Sequence, residues 1–297
     1  MKNILFILLI SLFLTSCAFN NAFLNPEEID QNLETVHVKE LSDTLKATVE
    51  KENFQPTFLD ENDNILSTDY TVKSVVFKSS SGNNLNGWII KSKEIPFNGI
   101  SLLHFHGNSG FIYNQHQRII PLLKYGFQIF VFDYSGFGFS EGESIRKNVI
   151  KDGISALSYV KNHKEFKNSE IIIYGHSLGG NLAATIAAEV ENDISGVVIE
   201  GAFSTHKDIA SEFARIFGKI LVKENSNALK EIKKFHKPVL VIHSTEDQVV
   251  PYHLGKKIYD AANEPKELFT IKKPHMRGPE FYGKDISDKI IEMTKQK

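Results

Sequence analysis

Gly175-His176-Ser177-Leu178-Gly179-Gly180 follows the apolar run Ile171-Ile172-Ile173-Tyr174 and precedes the alanine-rich stretch from Asn181 to Val190. A short β-branched run reads as a buried strand, and the alanine-rich stretch reads as a helix. Serine between glycines at a strand–turn–helix junction is the G-x-S-x-G pattern. Small flanking residues let the chain turn sharply without clashing, and the hydroxyl is lifted clear of the sheet. The free N–H groups at the start of the helix point to the same place. Ser177 is therefore a candidate nucleophile; the competing reading is a serine in an ordinary tight turn.

Working outward, Thr71 to Phe77 and Leu85 to Ile90 read as a hairpin across the turn of Ser79 to Asn84. Further apolar runs follow at Ile100–Phe105, Phe127–Phe132, Val197–Ile199 and Val239–Ile242, with a weaker one at Leu268–Ile271. Continuous rather than alternating apolar character marks strands covered on both faces, as in a parallel sheet. The segments between them are helix-length. Val149, Ile150, Ile154, Leu157 and Val160 recur on one helical face. The predicted fold is a doubly wound α/β sheet of about eight mostly parallel strands with flanking helices. Sites in such sheets gather at the carboxyl ends of the strands.

A serine hydroxyl needs a base to take its proton. Asp247 lies just beyond the strand Val239–Ile242, and His275 lies just beyond Leu268–Ile271. The order Ser177, Asp247, His275 is that of one particular serine-hydrolase scaffold among several. Glu200, at the end of Val197–Ile199, competes with Asp247 as the acid. His243 and His253 are better placed for structural or surface roles. The loop His106-Gly107-Asn108-Ser109-Gly110 after Ile100–Phe105 can supply a second oxyanion donor, at Asn108, beside the Leu178 N–H. His104 and His106 form an H-x-H pair, but no third ligand stands at a convincing spacing, so no metal is assigned. The chemistry needs no cofactor.

The set HFHGNSG (104–110), DYSGFGFSEG (133–142), GHSLGG (175–180), EGAFST (200–205) and HSTEDQVVP (243–251), with the late His275, resembles the α/β-hydrolase superfamily. It is most similar to the branch of serine aminopeptidase-like or BEM46-like hydrolases. The resemblance covers Val72 to the C-terminus. It implies Ser177 as nucleophile, His275 as base, Asp247 as its orienter, Asn108 and Leu178 as the oxyanion hole, and a structural Asp133. Ser135 and Pro274 depart from the family pattern at the pocket rim.

The 297-residue chain carries a formal charge of -2, with 41% hydrophobic and 24% charged residues. That gives no electrostatic case for binding nucleic acid. Residues 1–16 read as a signal peptide: one Lys, then an apolar run from Ile4 to Leu14 that is too short to span a bilayer, which takes roughly 20 residues. Leu14-Thr15-Ser16-Cys17 resembles a bacterial lipobox, and Cys17 is the chain's one cysteine. Lipidation at Cys17 and a place on a cell-envelope membrane follow as expectations, the outer membrane where the bacterium has one. Residues 17–69 are expected to be a tether with a short helix over Glu27 to Lys51, ahead of a hydrolase domain at 70–297. Within it, residues 203–237 read as a small lid. There Ile209, Phe213, Ile216, Phe217, Ile220 and Leu221 share one predicted helical face, which either packs on the domain, or roofs an apolar acyl pocket or touches lipid. The expected function is a serine hydrolase of carboxylic esters or thioesters. A small-substrate serine peptidase and a non-catalytic envelope binding protein are the alternatives. Nothing in the sequence specifies an oligomeric state.

Overall fold

The computed structural model describes residues 23–40, 43–222, 224 and 227–295. The stretch read as a signal peptide and Cys17 lie outside them. Three antiparallel strands come first: β1 (Thr35–Glu40), β2 (Asp43–Val49) and β3 (Pro56–Leu59). Eight more then build one sheet: β4 (Tyr70–Lys78), β5 (Asn84–Ser92), β6 (Ile100–Phe105), β7 (Gln128–Phe132), β8 (Glu170–His176), β9 (Gly196–Glu200), β10 (Val239–Ser244) and β11 (Lys266–Ile271). Their spatial order is β11-β10-β9-β8-β6-β7-β5-β4. Pairing is parallel from β11 through β7, and antiparallel where β5 meets β7 and β4. This is the mostly parallel α/β sheet predicted from the apolar runs, and it is the α/β-hydrolase fold that the motif resemblance implies.

The runs are continuous because both faces of the sheet are covered. Leu103, Ile173, Ile199 and Val241 pack under α1 (Arg146–Asn162), α2 (Leu178–Ile186) and α4 (Tyr252–Ala261). Their neighbours Leu102, Ile172, Val198 and Ile242 face Ile286 and Ile290 of α5 (Gly278–Met293). The chain leaves β6 in one direction for β7 and returns on the other side of it for β8. The crevice outside the carboxyl ends of β6 and β8 is therefore the switch point where ligands bind in such sheets.

The helix predicted over Glu27 to Lys51 does not form; that stretch holds β1 and β2. Val36, Ala47 and Val49 are buried with Phe58 against Trp88, a period-two pattern that a helix cannot satisfy. Gln55 then clasps the edge of β4, its amide donating to Val72 O at 2.9 Å and its carbonyl accepting from Ser74 N at 2.8 Å. From residue 23 onward, the segment read as a tether is part of the packed body.

The lid also differs from its prediction. Helix α3 (His206–Leu221) is capped by Thr205, whose hydroxyl accepts from Asp208 N at 3.0 Å, but it breaks at Ala214 and Arg215. Arg215 takes φ +47°, and the chain folds back so that Gly218 lies against the Ala210 carbonyl, where a Cβ would collide. One continuous helical face is thus not maintained. Ile209 turns inward and is buried, whereas Phe213, Ile216 and Ile220 are 75%, 66% and 70% exposed. The reading that this face packs on the domain fails for those three. Phe217 and Leu221 have side chains outside the described set.

Candidate active site

Strand β8 runs directly into the turn at Ser177, which has φ +53° and ψ −114°. Left-handed backbone at a residue with a Cβ costs on the order of 1–3 kcal/mol and persists only where the surroundings enforce it. Here the enforcement is visible. Ser177 N donates to Glu200 O at 2.8 Å, tying the turn to β9. A Cβ on Gly179 would overlap the carbonyl of Phe105 at the end of β6, and one on Gly175 would overlap Gly179. The flanking glycines are needed because the turn is pressed between a strand and a helix. Gly179→Ala is accordingly expected to destabilise the fold by about 3 kcal/mol or more, read as a fall in denaturant midpoint. A shift under about 0.5 kcal/mol would contradict this packing account.

Ser177 is 8% exposed, and its hydroxyl has no hydrogen-bond partner among the described residues. It opens on a cavity of about 350 Å³ lined also by Phe23, Asn108, Leu178, Phe203, Ile209, Ala210, Phe213, Val249 and Val250. Leu178 and Asn108 line this cavity, and their N–H groups donate to no protein acceptor among the described residues. A larger cavity of about 770 Å³ lies at the opposite, amino-terminal ends of the strands, around Glu170, Asn192 and Pro238. It lacks the serine turn and the free N–H groups, so size alone does not mark the site.

His275 and Asp247 meet at the ends of β11 and β10. His275 Nδ1 donates to Asp247 Oδ2 at 2.6 Å, which leaves Nε2 as the imidazole's acceptor. The other oxygen, Asp247 Oδ1, accepts from Val249 N and Val250 N, both at 2.9 Å. Burial pushes the Asp247 carboxyl up, but the bond from His275 and the two backbone donors outweigh it and hold the group below its usual range. His243 stiffens the same loop by donating to Val250 O at 2.9 Å. His253 is on the surface beside Glu212.

Glu200 has a different job from the one weighed for it in the sequence. Its buried carboxylate accepts from Tyr174 OH (2.5 Å), His176 Nε2 (3.0 Å) and Gly278 N (2.7 Å). Burial alone would raise its pKa; the charge and hydrogen bond of His176, then Tyr174 and Gly278, bring it below the usual value. His176 Nδ1 in turn lies 2.8 Å from His104 Nε2, and burial keeps His104 neutral. Of the H-x-H pair, His104 is thus part of this interior network, whereas His106 Nδ1 donates to Gly107 O and burial lowers that ring to about 4. One carboxylate therefore joins the residue before Ser177 to the loop that carries His275. Gly201, at φ +58°, completes the arrangement, since a Cβ there would sit 3.1 Å from the His275 ring. Neither role was legible in EGAFST, because the partners lie 24 and 78 residues away along the chain.

Glu200→Gln replaces an acceptor of three donors with a group whose NH2 must face one of them. The expected cost is about 2–3 kcal/mol of stability. A depressed carboxylate stabilises the fold fully above its unfolded pKa and loses that contribution as pH falls through the folded value. Wild-type melting temperature should therefore decline below about pH 4, and more steeply than that of the Gln variant. Parallel pH profiles for the two proteins would contradict a charged Glu200.

Asn108 is also held by an unforeseen partner. The amino-terminal segment passes alongside it: Asn25 N donates to Asn108 O at 2.9 Å, and Asn25–Pro26 pairs in parallel with Ser109–Gly110. Phe23 then packs edge-on to His206, 5.0 Å between ring centres, and lies 6.4 Å from Phe203.

Comparison with known proteins identifies the family and the fold. Residues 100–224 match the family described as the alpha/beta hydrolase fold. The uncharacterised protein YfhR of Escherichia coli O157:H7 is 30% identical over 207 residues, covering 68% of this chain and 72% of that protein. The mouse lysophosphatidylserine lipase ABHD12 is 26% identical over 231 residues, covering 71% of this chain and 57% of the relative. Among solved structures, the Pyrococcus furiosus esterase Pf2001 superposes with a TM-score of 0.66 at 18% identity, covering 92% of this chain and 98% of that one.

Proposed function

Because the chain belongs to the α/β-hydrolase superfamily, we propose that it is a serine hydrolase of carboxylic esters or thioesters with an apolar acyl group. The observation that carries this reading is the chemistry of the cavity wall at Ser177. Apart from Ser177, the backbone donors and Asn108, the wall is aliphatic and aromatic, and among the described residues no carboxylate lines it. An aminopeptidase needs a carboxylate to hold the substrate amine, so the wall favours an ester over an aminoacyl amide. A relative named as a lysophosphatidylserine lipase supports the same direction.

In the proposed reaction, His275 Nε2 takes the Ser177 proton as Oγ bonds to the acyl carbon. The oxyanion so formed accepts from the Leu178 and Asn108 N–H groups. The intermediate collapses by breaking the bond to the alcohol or thiol, which leaves with the proton from His275. Water then adds by the same route, releasing the acid and restoring Ser177. Asp247 keeps the His275 proton on Nδ1 and stabilises the imidazolium.

The test is turnover of p-nitrophenyl esters, thioesters and aminoacyl anilides over a range of acyl lengths, with a fluorophosphonate probe for the serine. Rates should be greatest for esters or thioesters of medium apolar chains. Preference for aminoacyl anilides would replace the proposal with the peptidase, and no turnover of any acyl compound by folded protein would replace it with a binding role. The proposed setting is the bacterial envelope, with the domain held to a membrane by lipid on Cys17. Among the described residues no helix is long and apolar enough to cross one.

A further inference from the structure

We propose that the mouth of the Ser177 cavity is applied to the lipid surface that holds the Cys17 anchor, with the exposed side of the lid among the acyl chains. The inference rests on the anchor reading above. Phe213, Ile216 and Ile220 are mostly exposed, as is Val249 (53%) across the opening from Phe213. Phe213 and Val249 stand at the opening, and Ile216 and Ile220 follow Phe213 on the same lid helix. Water contact at four large apolar groups is costly and marks an interaction surface. Arg215 and Lys219, also exposed on the lid, are cations suited to lipid phosphates.

The chain itself says what covers this face. Its first described residue, Phe23, lines the same cavity, packed against Phe203 and His206. Cys17 stands six residues earlier, so a lipid on it is tethered within about 20 Å of the opening, even fully extended. The anchor therefore holds this end of the molecule, and not the opposite strand ends, against the bilayer. A second copy seated here would cover the apolar groups but also close the entrance to Ser177. A lipid surface covers them and supplies amphiphilic esters through the same opening. The substrate class that follows is an ester resident in the membrane.

The full-length protein is reconstituted into phosphatidylethanolamine and phosphatidylglycerol vesicles containing a doxyl-labelled phospholipid quencher. A thiol-reactive fluorophore is placed at Ile216→Cys, or at Asn192→Cys beside the cavity at the other strand ends. Quenching severalfold greater at 216 is expected; equal quenching overturns the docking. A lipidated Cys17 has no free thiol, so labelling of the unsubstituted protein would instead show that the anchor reading has failed, and the docking with it. The Ser177 fluorophosphonate reaction reports separately on the catalytic reading. The Ile216→Ser/Ile220→Ser double variant should keep its rate on a soluble butyrate ester and lose about tenfold or more on a vesicle-embedded long-chain ester. Equal rates on both substrates, relative to the unsubstituted protein, also overturn it.

Discussion

Ser177→Ala is expected to lower ester turnover by a factor on the order of 10⁶ and to abolish fluorophosphonate labelling. The size of the loss follows from the way the site is built. In the proposed reaction His275 serves to take the proton of Ser177, so removing the serine oxygen idles the base and leaves only binding and oxyanion stabilisation of attack by water. The variant should fold as well as the parent, since alanine keeps the Cβ and with it the strain of φ +53°. Ser177→Gly separates chemistry from strain: it should be as inactive, yet more stable by about 1 kcal/mol, because glycine adopts this backbone freely. Labelling that persists in either variant would remove Ser177 from the mechanism. A Gly variant less stable than the Ala variant would remove the strain.

Asp247→Asn is expected to cost about 10⁴ in kcat. The backbone donors of Val249 and Val250 hold one oxygen of this side chain, at 2.9 Å each. An asparagine must keep its oxygen there and turn its NH2 towards His275. The imidazole Nδ1 can then only accept, which moves the proton to Nε2 and leaves Ser177 facing a donor instead of a base. The fold should change little. Glu200→Gln provides the contrast, since its loss falls first on stability and only indirectly on rate. If Glu200→Gln slowed a still-folded protein more than Asp247→Asn does, the roles of the two carboxylates would have to be exchanged.

Much of this was readable in one dimension because the governing physics is local. A strand buried on both faces must be apolar without interruption, so β6, β8, β9 and β10 stood out as runs. A sharp turn between strand and helix must have small residues beside the serine, so Ser177 was singled out with its neighbours. Strand ends share one edge of a parallel sheet, so Asp247 and His275 could be paired from their positions after β10 and β11. Where a local signal was weak, the reading went astray. The Glu27 to Lys51 stretch is polar enough to suit a helix, and its strands are specified by the burial of Val36 and Ala47 in one apolar cluster with Phe58 and Trp88.

By itself the sequence determined the sheet, the serine turn and the order of Ser177, Asp247 and His275, because strand period, turn sterics and chain order are properties of neighbouring residues. Only the tertiary structure decided that Glu200 joins His176 to the His275 loop, that Gly201 clears room for the imidazole, that Phe23 walls the cavity and that Asn25 holds Asn108. It also decided that the lid breaks at Arg215 and turns Phe213, Ile216 and Ile220 outward. Each of these depends on contacts between segments distant in the chain, or on a backbone kink that no periodicity records. They form only when the sheet brings those segments to one edge.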